Sequence, residues 1–402
     1  MSRHTRVHYM DNLRAFAMLL GIFFHAALAY SPLLGDIWLT ADPQQSKVVD
    51  LLAYFSHIFR MPLFFIIAGF FAAMMVQKRG IGGLIKNRLL RIGLPFALFF
   101  PLIIISFMVV IGWAIEHVQQ PSPMLGFAKM MSQSPDAPAP PLTTTHLWFL
   151  YNLMFFYALA VIAVKWIKLD WMKTLSAFPF VFVLLAPLML IPALSTQYSP
   201  TPAPEQFMPQ LWSFGFYGLF FTLGWGLFSR PDFLDKLNPY STIMLISGTF
   251  AYGVFYSLLP TEVNFQDVMI QASQTPELNA KQLLLAGLQA YAGLHVSLGL
   301  LLLGRRFFNR QSSAMRLIAD SSYWIYIIHL PVLWAIQFLL LDTQWGLITE
   351  FLISSLGTLL IGMLSYLLIV RWTPIGWLLN GRKGRQNNED AIEVKEPSTS
   401  LD

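Results

Sequence analysis

The sequence contains no cysteine, which excludes disulfides, Cys-ligated zinc and thiolate catalysis. Charge is scarce as well. Asp, Glu, Lys and Arg supply 12% of the 402 residues, about half the ~25% usual in a soluble domain. With 56% hydrophobic residues and a mean hydropathy of +0.57, such a chain lacks the polar surface to stay dispersed in water. It reads as an all-α, polytopic membrane protein with the lipid bilayer as its solvent. The basic residues behind a pI near 9.3 lie scattered between apolar segments, which argues against nucleic acid as a partner. No small-residue cleavage site follows a short apolar core, so the first segment is expected to be retained. No internal repeat is visible.

Ten segments reach the roughly 20 apolar residues that a crossing needs: 12–32, 50–76, 92–115, 147–166, 175–194, 210–228, 240–259, 282–303, 318–341 and 346–370. Lys and Arg collect in every second connection: Arg3 and Arg6, then Lys78 to Arg91, then Lys165, Lys168 and Lys173, then Arg230 and Lys236, then Arg305 to Arg316, then Arg371 onward. The alternate connections hold only Lys47, Lys129 and Lys281. Positive charge marks the cytoplasmic side, so ten crossings with both termini cytoplasmic are predicted. Residues 1–380 form one transmembrane domain in this reading, and 381–402 a polar, disordered cytoplasmic tail. The outer connections are rich in proline at 134–141 and 199–204. They serve either as spacers or as covers over a site.

Ionisable residues at membrane depth are costly and usually face a bundle interior or a cavity. In the first segment a helix turns ~100° per residue, which places Asp11, Arg14, Met18, Gly21 and His25 on one stripe. Arg14 and His25 are then separated by ~16 Å of axial rise, with Gly21 leaving room one turn before the imidazole. Arg14 alone also reads as an edge charge, and His25 alone as a packing residue. In the second segment His57 and Arg60 are three apart and share a helical face. Pro62 beside them loosens the backbone. Arg60 either lines a cavity or snorkels to the interface. Arg88 and Arg91 repeat that spacing at a cytoplasmic mouth, where two guanidinium groups suit phosphate or simply anchor the segment. His146 opens the fourth segment, and His329 lies inside the ninth next to Pro331. His295 reads as a packing residue.

These residues carry a family resemblance. Arg14 through His25 is similar to the first-segment signature of the membrane-bound acyltransferase-3 family, which moves acyl groups to sugars and glycans. Phe59-Arg60-Met61-Pro62-Leu63-Phe64-Phe65 with Ala68-Gly69-Phe70 resembles its second-segment motif, with alanine where serine is frequent. Arg88-Leu89-Leu90-Arg91 followed by Pro95, His146-Leu147-Trp148-Phe149-Leu150, and Ser322 through His329-Leu330-Pro331 resemble three further landmarks. The likeness runs from about residue 8 to 380 and is nearest to the glucan-modifying members.

The resemblance implies a multi-pass protein of the bacterial inner membrane that uses acyl-coenzyme A as cosubstrate and a carbohydrate hydroxyl as acceptor, the acyl group being acetyl or succinyl. No permanently bound cofactor or metal is implied, and a homodimer is compatible with it. His25 is then the general base, or a transiently acylated nucleophile, and Arg14 holds donor phosphate or orients the site. Arg88, Arg91 and Arg60 bind the acyl-coenzyme A, Arg60 and His329 also being placed to polarise the thioester or bind the acceptor. His57, His146 and His329 serve the acceptor or support the site. A secondary transporter or glycan flippase is the alternative that ten crossings with intramembrane charge also allow. Against it, the two related halves usual in transporters are not found.

Overall fold

The computed structural model describes residues 8–136, 141–166, 178–230, 232–264, 267–268, 274–309 and 312–381. Arg3, Arg6, Lys168, Lys173, Arg310 and the tail from residue 382 lie outside the described residues.

Among the described residues every regular element is helical, as the bilayer requires of a chain that satisfies its own backbone. In chain order these are α1 (His8–Leu28), α2 (Lys47–Arg88), α3 (Leu94–His117), α4 (Pro123–Ser132), α5 (Trp148–Trp166), α6 (Pro179–Leu194) and α7 (Leu211–Ser229). They are followed by α8 (Asp232–Leu237), α9 (Ser241–Ser257), α10 (Ala280–Phe307), α11 (Ser313–Leu340), α12 (Leu347–Ser365) and α13 (Pro374–Asn380). Several begin on a side-chain cap that satisfies a free N–H: Ser46 takes Val49 N, Ser122 takes Leu125 N, Asn279 takes Gln282 N, and Ser312 takes Met315 N.

Among the described residues seven helical runs are long and apolar enough to cross a membrane. One of them, Lys47–His117, covers 71 residues. Drawn straight it would extend about 106 Å against a hydrocarbon core of ~30 Å. Two features break it: Gly80, with φ 68° and ψ 179°, and a π-helical turn over Leu89–Gly93. The φ at Gly80 lies where a Cβ is strongly disfavoured, so glycine is the residue that can turn the helix there. Helices α6, of 16 residues, and α9, of 17, are apolar but shorter. The ten crossings read from hydropathy are therefore not established by helix length alone. The expected segment 92–115 falls within the 71-residue run, and 175–194 and 240–259 fall on the two shorter helices.

The closest approach in the bundle joins α2 to α7. A Cβ at Gly69 would stand 1.9 Å from the Phe221 carbonyl oxygen, and one at Gly224 would stand 1.8 Å from that of Ile66. Only paired glycines let two membrane helices pack backbone to backbone in this way. Phe65 fills the layer beside them, with its ring 4.5 Å from Tyr217 and 5.0 Å from Phe156. Helix α1 packs against α2, α10, α11 and α12.

Connections that the charge pattern assigned to one side meet one another. At one end Asn12 donates to the Phe308 carbonyl, Arg305 pairs with Asp235 at 2.6 Å, and Asn380 donates to the Asp320 carbonyl. At the other end Gln119 N–H donates to Asp342, Thr144 N–H to the Glu205 carbonyl, Gln282 to the Gln197 carbonyl, and Leu347 N–H to Gln44.

Candidate active site

Five of the residues singled out by sequence come together near the second of these ends. Phe24 of α1 is held between two groups of α2. The Arg60 guanidinium lies 4.5 Å from its ring centroid, and the His57 ring stacks on it at 4.9 Å. His57 and Arg60 thus use the shared face that their spacing gives them. Arg60 is 6% exposed, so it is a buried cation and does not snorkel to the interface. Its guanidinium reaches the open side of Gly21, where a Cβ would lie 3.4 Å from Nη1. The room expected at Gly21 is filled by this arginine. Among the described residues Nη1 of Arg60 and Nδ1 of His57 are buried without a hydrogen-bond partner.

One turn along α1, the His25 ring lies 5.2 Å from that of His329 on α11, and His329 lies 5.0 Å from His146. His25 keeps part of its surface accessible, while its Nδ1 is buried and without a partner among the described residues. His329 is 3% exposed. Its Nδ1 is 2.7 Å from the Tyr326 carbonyl oxygen. A carbonyl can only accept, so Nδ1 carries the hydrogen, and in the neutral ring Nε2 keeps its lone pair. That Nε2 is buried and unpartnered among the described residues.

The prolines explain how His146 is positioned. Pro331 has no N–H for the carbonyl four residues earlier, that of Ile327. His146 Nε2–H supplies the missing donor at 2.9 Å. The Tyr326 hydroxyl then donates to the His146 carbonyl at 2.7 Å. At Pro62 the outcome differs: Ser297 donates to the Phe59 carbonyl at 3.2 Å, and Gly293 packs on that of Ile58, so neither carbonyl is left to line a cavity. Thr145, just before His146, has φ 49°, a strained value for a β-branched residue. Its neighbour Thr144 is tied down through its N–H and hydroxyl, both donating to the Glu205 carbonyl. Burial pushes the Glu205 carboxyl up to about 7.

Arg14, Arg88 and Arg91 gather at the opposite end. Arg14 pairs with Asp11 at 3.6 Å and remains 40% exposed. Arg88 lies on the Tyr157 ring at 4.5 Å, with its Nε buried and unpartnered among the described residues. Arg91 donates to the Leu379 carbonyl at 3.1 Å, and its own carbonyl accepts from the Tyr323 hydroxyl at 2.8 Å. All three arginines lie within electrostatic reach of Tyr323. Arg88 and Arg91 lie within electrostatic reach of each other. A π turn spans 89–93, a distortion often found at functional sites. Arg60 stands with the imidazoles instead of with this group.

Sequence reasoning missed the aromatic neighbours. Trp38, in the connection after α1, stacks at 6.3 Å on His25, and Trp334 of α11 meets Trp38 edge-on at 5.8 Å. As isolated residues they read as ordinary belt aromatics. His295 is a packing residue as expected, stacked on Tyr291 at 3.7 Å with Nδ1–H donating to the Tyr291 carbonyl. No group of three His, Asp or Glu among the described residues is arranged to hold a metal ion.

The arrangement presents a lone-pair nitrogen, a second imidazole and a guanidinium donor facing one another, with a separate cationic cluster further down the bundle. Comparison with known proteins points to a chemistry. The Acyl_transf_3 family, an acyltransferase domain, matches residues 7–367. The "Glucans biosynthesis protein C" of Salmonella paratyphi B is 23% identical over 338 residues, covering 81% of this chain and 82% of that protein. The proteins of that name from Salmonella enteritidis PT4 and Salmonella heidelberg align to the same extent. No solved structure matches the chain.

Proposed function

The chain belongs to the Acyl_transf_3 family of acyltransferases, and on that premise we propose that it moves an acyl group, acetyl or succinyl, from acyl-coenzyme A to a hydroxyl of a cell-envelope glycan. Family membership makes it a multi-pass membrane O-acyltransferase and weighs against the transporter alternative. The glycan acceptor rests on the name that its relatives carry. One observation supports the chemistry above the others: His25 and His329 meet beside Nη1 of Arg60, which has no hydrogen-bond partner among the described residues.

A sugar hydroxyl is too weak an acid to attack a thioester unaided. His25 takes its proton as the oxygen bonds to the thioester carbonyl carbon. A neutral imidazole suits this task, which is typically worth about 10²–10⁴ in rate. Arg60 Nη1 donates to the oxygen that gains negative charge. The carbon–sulfur bond then breaks, and the proton held on His25 passes to the departing thiolate of coenzyme A. His329 orients His25 and offers Nε2 as a second proton acceptor. His146 and His57 hold the walls of the site. The bond that fixes the His329 tautomer also supports the reverse assignment, with His329 as base and His25 as the orienting group.

The donor is a polyanion. Arg88 and Arg91 bind its phosphates, and Arg14, at the entry to the α1 stripe, steers it toward the imidazoles. This fits ten crossings with both termini in the cytoplasm of a bacterial inner membrane, since the basic connections gather at the Arg14 end. Acyl-coenzyme A is a consumed cosubstrate in this scheme, and no resident cofactor takes part.

The test is transfer of labelled acyl-coenzyme A to glucose oligosaccharides by the purified protein, with His25→Ala and His329→Ala made separately. Loss of at least 100-fold in kcat with His25→Ala is expected. Near wild-type transfer by folded His25→Ala, together with loss in His329→Ala, would move the base to His329. Activity surviving in both would refute imidazole catalysis. A wild-type protein that neither hydrolyses nor transfers the label would refute the reading as a whole.

A further inference from the structure

Two indoles stand next to the proposed base and take no part in the mechanism above. The connection between α1 and α2 carries Trp38 back over His25, and several bonds hold it there. Thr40 Oγ1 donates to Gln337 at 2.7 Å, and Gln337 Nε2 donates to the Ala26 carbonyl at 3.1 Å. Ser122 donates to the Leu39 carbonyl at 2.7 Å. Trp38 is therefore fixed from both sides on α1, α11 and the start of α4. Its plane lies only 16° from that of His25. Trp334 stands at 85° to Trp38, backed by Phe107 at 4.8 Å. The result is a right-angled pair of indoles beside His25.

Both rings are half-buried. Both Nε1–H groups are buried without a hydrogen-bond partner among the described residues. An indole N–H is a donor only, and a buried tryptophan usually finds it a partner. Two such donors in one corner, beside His25 Nδ1 and His329 Nε2, make a concentration of unmet hydrogen bonds that the folded chain does not need for its own packing. An acetyl group has a single carbonyl and otherwise apolar carbon, so it leaves most of these groups unmet, and a succinyl group adds a carboxylate but no ring face to lie against an indole plane. A sugar ring supplies an apolar C–H face for an indole plane and hydroxyl oxygens for the N–H groups around it.

We propose that Trp38 and Trp334 form the acceptor subsite, a corner that seats one pyranose ring with its reacting hydroxyl at His25. The proposal rests on the glycan-acyltransferase reading and adds the residues that select the acceptor. Trp38 stacks on the C–H face of the sugar. Trp334 donates through Nε1 to a hydroxyl of the same residue, and the Thr40–Gln337 bond holds the corner closed.

The experiment uses the full chain in lipid nanodiscs, with acetyl- and succinyl-coenzyme A as donors and a glucose oligosaccharide as acceptor, both substrates being varied. Trp38→Phe and Trp334→Phe keep an aromatic face and remove the N–H. Each is expected to raise the acceptor KM about fivefold, the worth of one neutral hydrogen bond, with the donor KM within twofold of wild type. Trp38→Ala is expected to raise it further. Equilibrium binding of the oligosaccharide without donor is measured in parallel. An unchanged acceptor KM in both Phe variants overturns the proposal while transfer by the wild type leaves the parent reading intact. A rise in donor KM instead overturns it too, and assigns the corner to the acyl chain. If the wild type neither binds nor acylates the oligosaccharide, the parent reading fails first. A variant with altered acceptor KM and an intact donor KM is folded by that measure.

Discussion

Gly21 offers a graded test of whether Arg60 must stand where it does. A Cβ on residue 21 would lie 3.4 Å from Arg60 Nη1 and 3.8 Å from Cζ, which is ordinary contact. Gly21→Ala therefore fits, and in a helix interior alanine is favoured over glycine by about 0.8–1 kcal/mol. Valine extends about 1.5 Å beyond Cβ, with one strongly preferred χ1 in a helix. A γ methyl directed at Nη1 would approach to about 2 Å, where non-bonded contact needs roughly 3.5 Å. Arg60 must then yield by more than 1 Å. A misplacement of about 1 Å in a reacting constellation costs on the order of 10²-fold, or about 2.7 kcal/mol of barrier. The expected outcome is wild-type kcat with equal or higher Tm for Gly21→Ala, and a roughly 100-fold lower kcat with a largely preserved Tm for Gly21→Val. Transfer by folded Gly21→Val within threefold of wild type would refute the reasoning. Equal loss in the alanine and valine variants would place the effect in the α1 backbone, not in Arg60.

Other expectations concern the ends of the bundle and its packing. Arg88→Gln and Arg91→Gln should each raise the donor KM tenfold or more and leave the acceptor KM little changed, as read from two-substrate kinetics. Arg88→Lys should not restore it, because a lysine cannot lie flat on Tyr157 while offering two donors. Asp42, in the connection that carries Trp38, titrates at about 6 instead of 3.8, because it is buried and the Glu350 charge lies beside it. The folded chain thus keeps a proton across roughly pH 4–6 that the unfolded chain has lost, so stability falls as pH rises through that window and the deficit persists above it. Asp42→Asn should raise Tm relative to wild type at pH 7.5 but not at pH 4, and equal Tm differences at both would exclude the titration. Gly224→Ala sets a Cβ 1.8 Å from the Ile66 carbonyl oxygen. It should cost about 1–3 kcal/mol or more through forced separation of α2 from α7, read as a lower Tm in detergent.

The α1 stripe was legible in advance because a helix wound from 14 to 25 can present those side chains in only one way. What fills the gap at Gly21 was not, since that depends on how α2 crosses α1, and a sequence of membrane helices apolar on most faces carries little record of which face meets which. Arg60 had two open readings until its burial decided between them. Arg88 and Arg91 were paired by counting helical turns, and the π turn that contains Arg91 has no mark in the letters Leu-Leu. His146 and Pro331 were both noticed. Their link through the Ile327 carbonyl needed the two helices in place. Trp38 was invisible as a site residue because its position follows from the path of a connection held by Thr40 and Gln337. Hydropathy located the apolar segments well, but it gave 92–115, 175–194 and 240–259 the same standing as the long helices.

A final consequence follows from the bend at Gly80. Along an unbroken rod, Arg60 and Arg88 would be carried about 42 Å apart, farther than the oily interior of a bilayer is thick. The elbow returns the chain so that Arg88 stands with Arg14 at Tyr323, while Arg60 reaches α1 at Gly21, only about 10 Å of helix rise beyond Arg14. One glycine with a positive φ therefore decides whether these two cations are strangers on a long mast or two handholds for a single elongated molecule.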